Sequence, residues 1–159
     1  MNRLYVLLAV LAIGLLGFIS VYSVTSARAR MRDAVRLSDV RQVQVGLELY
    51  ANDHSAYPEA TETTALGTSA TFCLGDSGFG GTCIAGSETV YLEAIGNTPN
   101  AGLREKSTCG TESNAYCYRS DSENYQIQFE LERSQTRMNL VRGLNCATPS
   151  GFESGGCDF

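Results

Sequence analysis

The sequence predicts an α+β protein: a long N-terminal α-helix packed on a small antiparallel β-sheet head whose loops are stapled by disulfides. Three observations carry that expectation. An uncharged apolar run opens the chain, an amphipathic helical pattern continues it without a break, and all six cysteines fall in the remainder. With 159 residues there is room for one modest domain beyond the helix. The expected division is 1–24 as a transmembrane helix, 25–55 as the amphipathic half of the same helix, and 56–159 as a globular extracytoplasmic head.

From Leu4 to Val24 no residue is charged. At about 1.5 Å per residue the run spans about 30 Å, the hydrocarbon thickness of a bilayer. The competing reading is a cleavable secretory signal, with Thr25-Ser26-Ala27 as a weak small-residue cleavage site. Signal peptides carry a shorter apolar region, so length favours an uncleaved anchor. From Thr25 to Asp53 there is no proline and Gly46 is the one glycine. Leu37, Val40, Val43, Leu47 and Tyr50 recur at spacings of three and four and line one face. Arg32, Asp33, Arg36, Asp39, Arg41 and Glu48 are assigned to exposed faces, where charge pairs contribute little. Asn52, Asp53 and Pro58 end the helix between Ala51 and Ser55. A helix of about 50 residues is about 75 Å long, too long for an ordinary globular domain.

In the head, residues 56–100 read mainly as loop, with a glycine-rich stretch from Gly75 to Gly81 and an apolar one from Val90 to Ile95. The clearest strand runs from Tyr125 to Glu132. Tyr125, Ile127, Phe129 and Leu131 alternate with polar residues, which predicts one buried and one wet face. Asp121–Asn124 is the turn that joins it to Ala115–Ser120 in a hairpin, and Met138–Leu144 is the expected third strand. The apolar face of this sheet covers the Leu37–Tyr50 stripe in a two-layer head.

Cys73, Cys83, Cys109, Cys117, Cys146 and Cys157 form three apparent pairs with gaps of nine, seven and ten residues, without a Cys-x-x-Cys and with one histidine in the chain. Structural zinc sites favour tighter ligand pairs, so disulfides are the expected reading and place the head in an oxidising compartment. Orientation raises a conflict. Only Arg3 precedes the apolar run while Arg28, Arg30 and Arg32 follow it, and the positive-inside rule then puts the head in the cytoplasm. A short basic leader, absent from the chain as read, resolves it.

Net charge is −5, and an acidic head repels phosphate backbones, so no nucleic-acid partner is expected for it. Catalysis, cofactors and metals are not expected either. His54 adjoins Asp53 and Ser55 at a helix end, but adjacency does not make those residues converge in a pocket; a helix C-terminus favours a histidine through its dipole. Gly75–Gly81 lacks the Gly-Lys-Ser/Thr ending of a phosphate loop. Asp121, Glu123, Glu153 and Asp158 follow no calcium-loop pattern.

Ser26–Ala34, Leu37–Gln44, Leu47–Tyr50, Asn52-Asp53 and Tyr57-Pro58, within SARARMRDAVRLSDVRQVQVGLELYANDHSAYP, resemble the first helix and exit of type IV pilins and pseudopilins. Tyr91–Ile95 with Pro99 resembles the short helix and turn that precede the sheet in that family, and Tyr116-Cys117-Tyr118 with Tyr125 onward resembles its first hairpin. The resemblance implies a structural subunit of an extracellular filament. Such a subunit sits in the cytoplasmic membrane before assembly and then polymerises as a helical homo-oligomer, with Leu4, Leu7, Leu8, Leu11, Gly14, Leu15, Gly17 and Phe18 in the filament-core helix. It implies packing of Leu37, Val40, Val43, Leu47 and Tyr50 on Ile127, Phe129 and Leu131. An assembly ATPase, a platform protein and a prepilin peptidase are the implied partners, and adhesion or motility the implied roles. Gly14 aligns so that Met1 is expected at the processed, methylated N-terminus. The chain departs from the family at Tyr5, where relatives carry a glutamate. Two alternatives stay open: a pseudopilin or minor pilin of a secretion or DNA-uptake system, and a membrane-anchored adhesive domain that never polymerises. Six cysteines allow many connectivities; the preferred one pairs Cys73 with Cys83, Cys109 with Cys117 and Cys146 with Cys157.

Overall fold

The computed structural model describes residues 3–104 and 106–159. Met1 lies outside them. A single helix, α1 (Arg3–His54), runs unbroken for 52 residues. It stops where Ser55 turns left-handed (φ 59°) and returns its N–H to the Ala51 carbonyl at 2.7 Å. That closure satisfies one of the orphan carbonyls of the last turn. Three residues later Pro58 forbids any return to helix.

The head holds one main sheet and two small ones. After β1 (Ala60–Leu66), the short strands β2 (Cys73–Gly75), β3 (Gly78–Gly80) and β4 (Val90–Leu92) form a sheet in the order β3-β2-β4. A two-residue ribbon follows, β5 (Thr108–Cys109) on β6 (Glu112–Ser113). Then come β7 (Tyr116–Ser120), β8 (Tyr125–Leu131), β9 (Gly143–Thr148) and β10 (Gly151–Ser154), which with β1 build an antiparallel sheet ordered β1-β7-β8-β9-β10. Asp121 closes the β7–β8 turn by accepting the N–H groups of Glu123 (3.1 Å) and Asn124 (2.7 Å) on Oδ1. β8 runs antiparallel to α1: Tyr125 at its start lies beside Gln44 and Glu48, and Glu132 just past its end reaches Arg32.

The apolar stripe of the helix meets the sheet in one core. Leu37, Val40, Val43 and Leu47 pack with Tyr116, Tyr118, Ile127, Phe129 and Leu131, and Tyr50 lies partly buried at the edge. Each fully buried aliphatic or aromatic side chain contributes about 1.5–3 kcal/mol relative to exposure. Three bridges staple the head: Cys73–Cys83, Cys109–Cys117 and Cys146–Cys157. All six cysteines are oxidised.

Several expectations for the head are corrected. Residues 56–100 are mainly loop but also hold four strands, β1 to β4. Three of the four are three residues long, and β1 is threonine-rich, so none shows an alternating apolar signal. Val90–Leu92 is a strand rather than part of a short helix, because it pairs with β2 and lies against α1 where Gly46 leaves space; a Cβ there would sit 3.3 Å from the Leu92 Cβ. The strand expected at Met138–Leu144 begins only at Gly143, as β9. A 3-10 turn at Thr136–Met138 and a left-handed Asn139 (φ 54°) redirect the chain, and the Asn145 side chain holds the bend by bonding both the N–H and the carbonyl of Val141 at 2.9 Å. Between Cys146 and Cys157, β9 extends to Thr148 and β10 returns along it.

The second face of β8 is not wet. Glu130 is 2% exposed and accepts the N–H groups of Arg104 (2.8 Å) and Lys106 (3.1 Å), while Gln128 accepts that of Cys157 (3.2 Å). Arg104, Lys106 and the C-terminal tail lie over that face, and the polar side chains supply acceptors for backbone donors that burial would otherwise leave unpaired.

The core assignment is testable on the full chain in detergent. Leu47→Ala should cost about 2–5 kcal/mol of unfolding free energy. Leu49→Ala, two residues on and 51% exposed, should change it by no more than about 0.5 kcal/mol. Urea titration followed by circular dichroism reads both.

Candidate membrane helix and its attachment to the head

The first half of α1 is long and apolar enough to cross a membrane, and none of its spanning window is buried in the protein. Its large apolar side chains from Tyr5 to Val24 are exposed all round, from 48% at Val24 to 72% at Phe18, with Leu7, Leu8, Leu11 and Leu15 between. The backbone of Leu4 is helical too. Gly14 and Gly17 leave the helix unbroken, and a Cβ at either would meet no atom within 4 Å. A surface of this extent is far larger than the scattered apolar residues of an ordinary soluble surface and marks a site for lipid or for another protein.

The second half is fixed to the head by a buried ionic cluster. Arg36, at 0% exposure, donates from one terminal nitrogen to Asp33 Oδ1 and Glu132 Oε1, both at 2.8 Å. Its other nitrogens donate to the carbonyls of Pro99 and Ala101. Arg32 forms a fork on Glu132 with two contacts of 2.7 Å. Asp33, also fully buried, turns its carboxylate to the chain leaving β8 and accepts the N–H groups of Glu132 (2.9 Å) and Arg133 (3.0 Å). One cluster thereby joins α1, the end of β8 and the segment around residues 99–101. A removed partner would strand a buried charge, which costs far more than an exposed pair contributes.

Burial alone would raise the Glu132 carboxyl, but the hydrogen bonds from Arg32 and Arg36, together with their charges, outweigh it and hold the group below its ordinary value. Asp39, one turn further on, shifts upward because burial outweighs the bond it accepts from Tyr116 Oη at 2.9 Å. Tyr116 is pushed up by burial and by that carboxylate.

The helix-packing residues expected from the sequence come together in one core, and the six cysteines come together in pairs. What sequence reasoning missed is the cluster: Asp33 and Arg36 had been placed on an exposed face, and they are buried. A signal for it was present. Asp33, Arg36, Val40, Val43 and Leu47 advance by three and four, so both charged residues continue the buried stripe downward. The hydrophobic pattern ended one turn before the interface did.

His54 stacks on Tyr50 with ring centroids 4.0 Å apart, turns Nδ1 to the Tyr50 carbonyl at 3.1 Å, and faces Asp76 with Nε2 at 3.3 Å. It thereby links the last turn of the helix to the β2–β3 hairpin. Among the described residues no group of three or more His, Cys, Asp or Glu side chains is placed to hold a metal ion. Comparison with family models, with curated proteins and with solved structures finds no match for this chain.

Arg36→Met should destabilise the head by about 3–5 kcal/mol, because Asp33 and Glu132 stay buried without their partner. Since the folded Glu132 carboxyl lies below its unfolded value, its contribution is complete above about pH 4.5 and fades as pH falls through the folded value. Glu132→Gln should therefore flatten the acid limb of a stability–pH profile, measured by denaturant titration across that range.

Proposed function

We propose that the chain is a structural subunit of a type IV pilus-like filament, held in a membrane by its apolar half-helix and polymerising through that same surface. One observation carries the reading. The exposed apolar helix continues without a hinge into a segment clamped by the buried cluster of Asp33, Arg36 and Glu132. A tether that only holds a head near a membrane has no need of a fixed angle between anchor and head. A polymer does, because every copy must present its helix and its head in the same relative position for a repeating contact to close.

The energetics of such assembly follow from the exposed surface. In lipid, the side chains of Tyr5–Val24 already sit in an apolar medium, so release into a fibre requires that neighbouring helices replace the lipid contacts at close range. Gly14 and Gly17, with open space around both, allow a neighbour's backbone to approach closely. The disulfide-stapled head fits an oxidising location on the far side of the membrane. Tyr5 stands where filament subunits of the resembled family carry a carboxylate, so any contact made there is uncharged.

Imaging of material sheared from cells that express the chain is the test. Fibres whose dominant component is this chain are expected. Leu8→Arg with Leu11→Arg should abolish them, while disulfide mapping of the detergent-extracted variant returns the same three bridges. Recovery of the intact chain solely as dispersed membrane protein, under conditions in which the head is folded, would overturn the proposal in favour of a membrane-anchored domain that does not polymerise.

A further inference from the structure

The arginines that follow the apolar run are arranged differently from one another. Arg32 is withdrawn into the ion pair with Glu132. Arg28 and Arg30 are exposed and make no side-chain hydrogen bond or ion pair among the described residues. The folded head adds two more positive charges at this level. Arg133 reaches Ser26 Oγ with a guanidinium nitrogen at 3.1 Å, and Arg142 lines the same shallow cavity as Ala29, Arg133 and Ser134. Residues more than a hundred positions apart in the chain thus form a collar around the helix where it leaves the head. Asp33 of the helix and Glu132 of the head, carboxylates that lie against this stretch, are both occupied by Arg32, Arg36 and backbone N–H groups. The collar gathers four guanidinium groups on a chain that is acidic as a whole, at −5.

Its height matches a particular layer. Arg28 and Arg30 lie four and six residues past Val24, about 6 and 9 Å along the axis. The polar headgroup region extends about 5–8 Å beyond the hydrocarbon on each side of a bilayer. With the apolar half in lipid, Arg28 stands within that layer and Arg30 at its outer edge, and both side chains lean back along the helix toward the acyl boundary. Arg133 and Arg142 hang from the underside of the head toward the same plane. Guanidinium is the side chain best matched to phosphate oxygens, through paired N–H donors.

We infer that the collar of Arg28, Arg30, Arg133 and Arg142 is a docking surface for the phosphate groups of anionic lipids in the leaflet on the head's side. The inference rests on the reading that the apolar half resides in a membrane, and it does not need the filament. It assigns the collar a role while the subunit is in the bilayer: anionic lipid gathers beneath the head and holds it down on the surface. The attraction is electrostatic and shallow, so it weakens as salt shortens the screening length to about 3 Å at molar concentration.

The chain contains no tryptophan, so Tyr22→Trp gives a single fluorescent reporter near the collar. The full chain carrying it is reconstituted in vesicles of phosphatidylcholine mixed with phosphatidylglycerol, with one or the other lipid brominated on its acyl chains. Quenching then reads which lipid surrounds the helix. Brominated phosphatidylglycerol is expected to quench more strongly. Its relative association constant should fall about fivefold for each of Arg28→Gln and Arg30→Gln, survive Arg28→Lys with Arg30→Lys, and collapse in molar salt. Equal quenching by both lipids in the unaltered collar overturns the inference while leaving membrane residence intact. Equal quenching together with self-association that the same glutamine variants abolish assigns the collar to an acidic surface of a second copy and overturns it too. Quenching by neither lipid shows that the apolar half is not in the bilayer, and removes both the collar inference and the reading beneath it.

Discussion

Arg36 enters the head without solvent contact, and a guanidinium in that position must be matched on every side by oxygens that stay where they are. Asp33, Glu132 and the carbonyls of Pro99 and Ala101 do this from three separate parts of the chain. The apolar core alone would tolerate a helix slid or rotated by part of a turn, since hydrophobic contact has little directional preference. A buried charge with several fixed partners does not tolerate it. Directional bonds at the lower end and apolar burial at Val40–Leu47 therefore act together: burial holds the helix on the sheet, and the cluster sets where along the sheet it lies.

Much of the consequence falls outside the head. Because α1 continues from the cluster into the exposed half without a hinge, whatever fixes Arg36 also fixes the direction in which the apolar surface points. The covalent staples take no residue of this joint. Cys73–Cys83 closes the β2–β3 hairpin, Cys109–Cys117 ties the small ribbon to β7, and Cys146–Cys157 fastens the tail beside β9. Each loop is short, with sequence separations of 10, 8 and 11 residues, so the bridges restrain local segments of a head too small to bury them well. Disulfides secure local segments of the head, and the ionic cluster secures the helix.

The parts of the fold legible in the sequence were those where one residue class repeats at a fixed period. The helix, its apolar stripe and the β7–β8 hairpin all meet that condition, and Asp121 marks the turn. The illegible parts depend on contacts distant in sequence. β2 to β4 are too short to carry a period, and their pairing is made by backbone bonds that no side-chain pattern records. Glu130 reads as a solvent-facing residue until the segment around Arg104 and Lys106 folds over it. Asp33 and Arg36 were hidden for a related reason: charge is normally excluded from interiors, and only the geometry of Glu132 arriving from β8 makes their burial possible. The exposed half of the helix, in contrast, was legible throughout, because nothing in the head touches it.

The sheet margins bear on where association can occur. An open edge strand offers unpaired N–H and C=O groups to any other chain. Here the edges are β1 and β10. β1 is interrupted by an irregularity between Ala60 and Thr64 and exposes Glu62, and β10 is four residues long and exposes Glu153. Interrupted, short and acidic edges pair poorly, and edges of the same sign repel when copies meet. Large apolar residues exposed on the head, such as Phe72, Ile84 and Val141, are dispersed rather than gathered. The longest run of exposed apolar residues among those described is therefore the helix from Tyr5 to Val24, with Met31, Val35, Val45 and Leu49 exposed further along it. A chain whose sheet edges discourage pairing, and whose exposed apolar helix is held at a fixed angle to the head, presents that helix as its main apolar surface for lipid or for another protein.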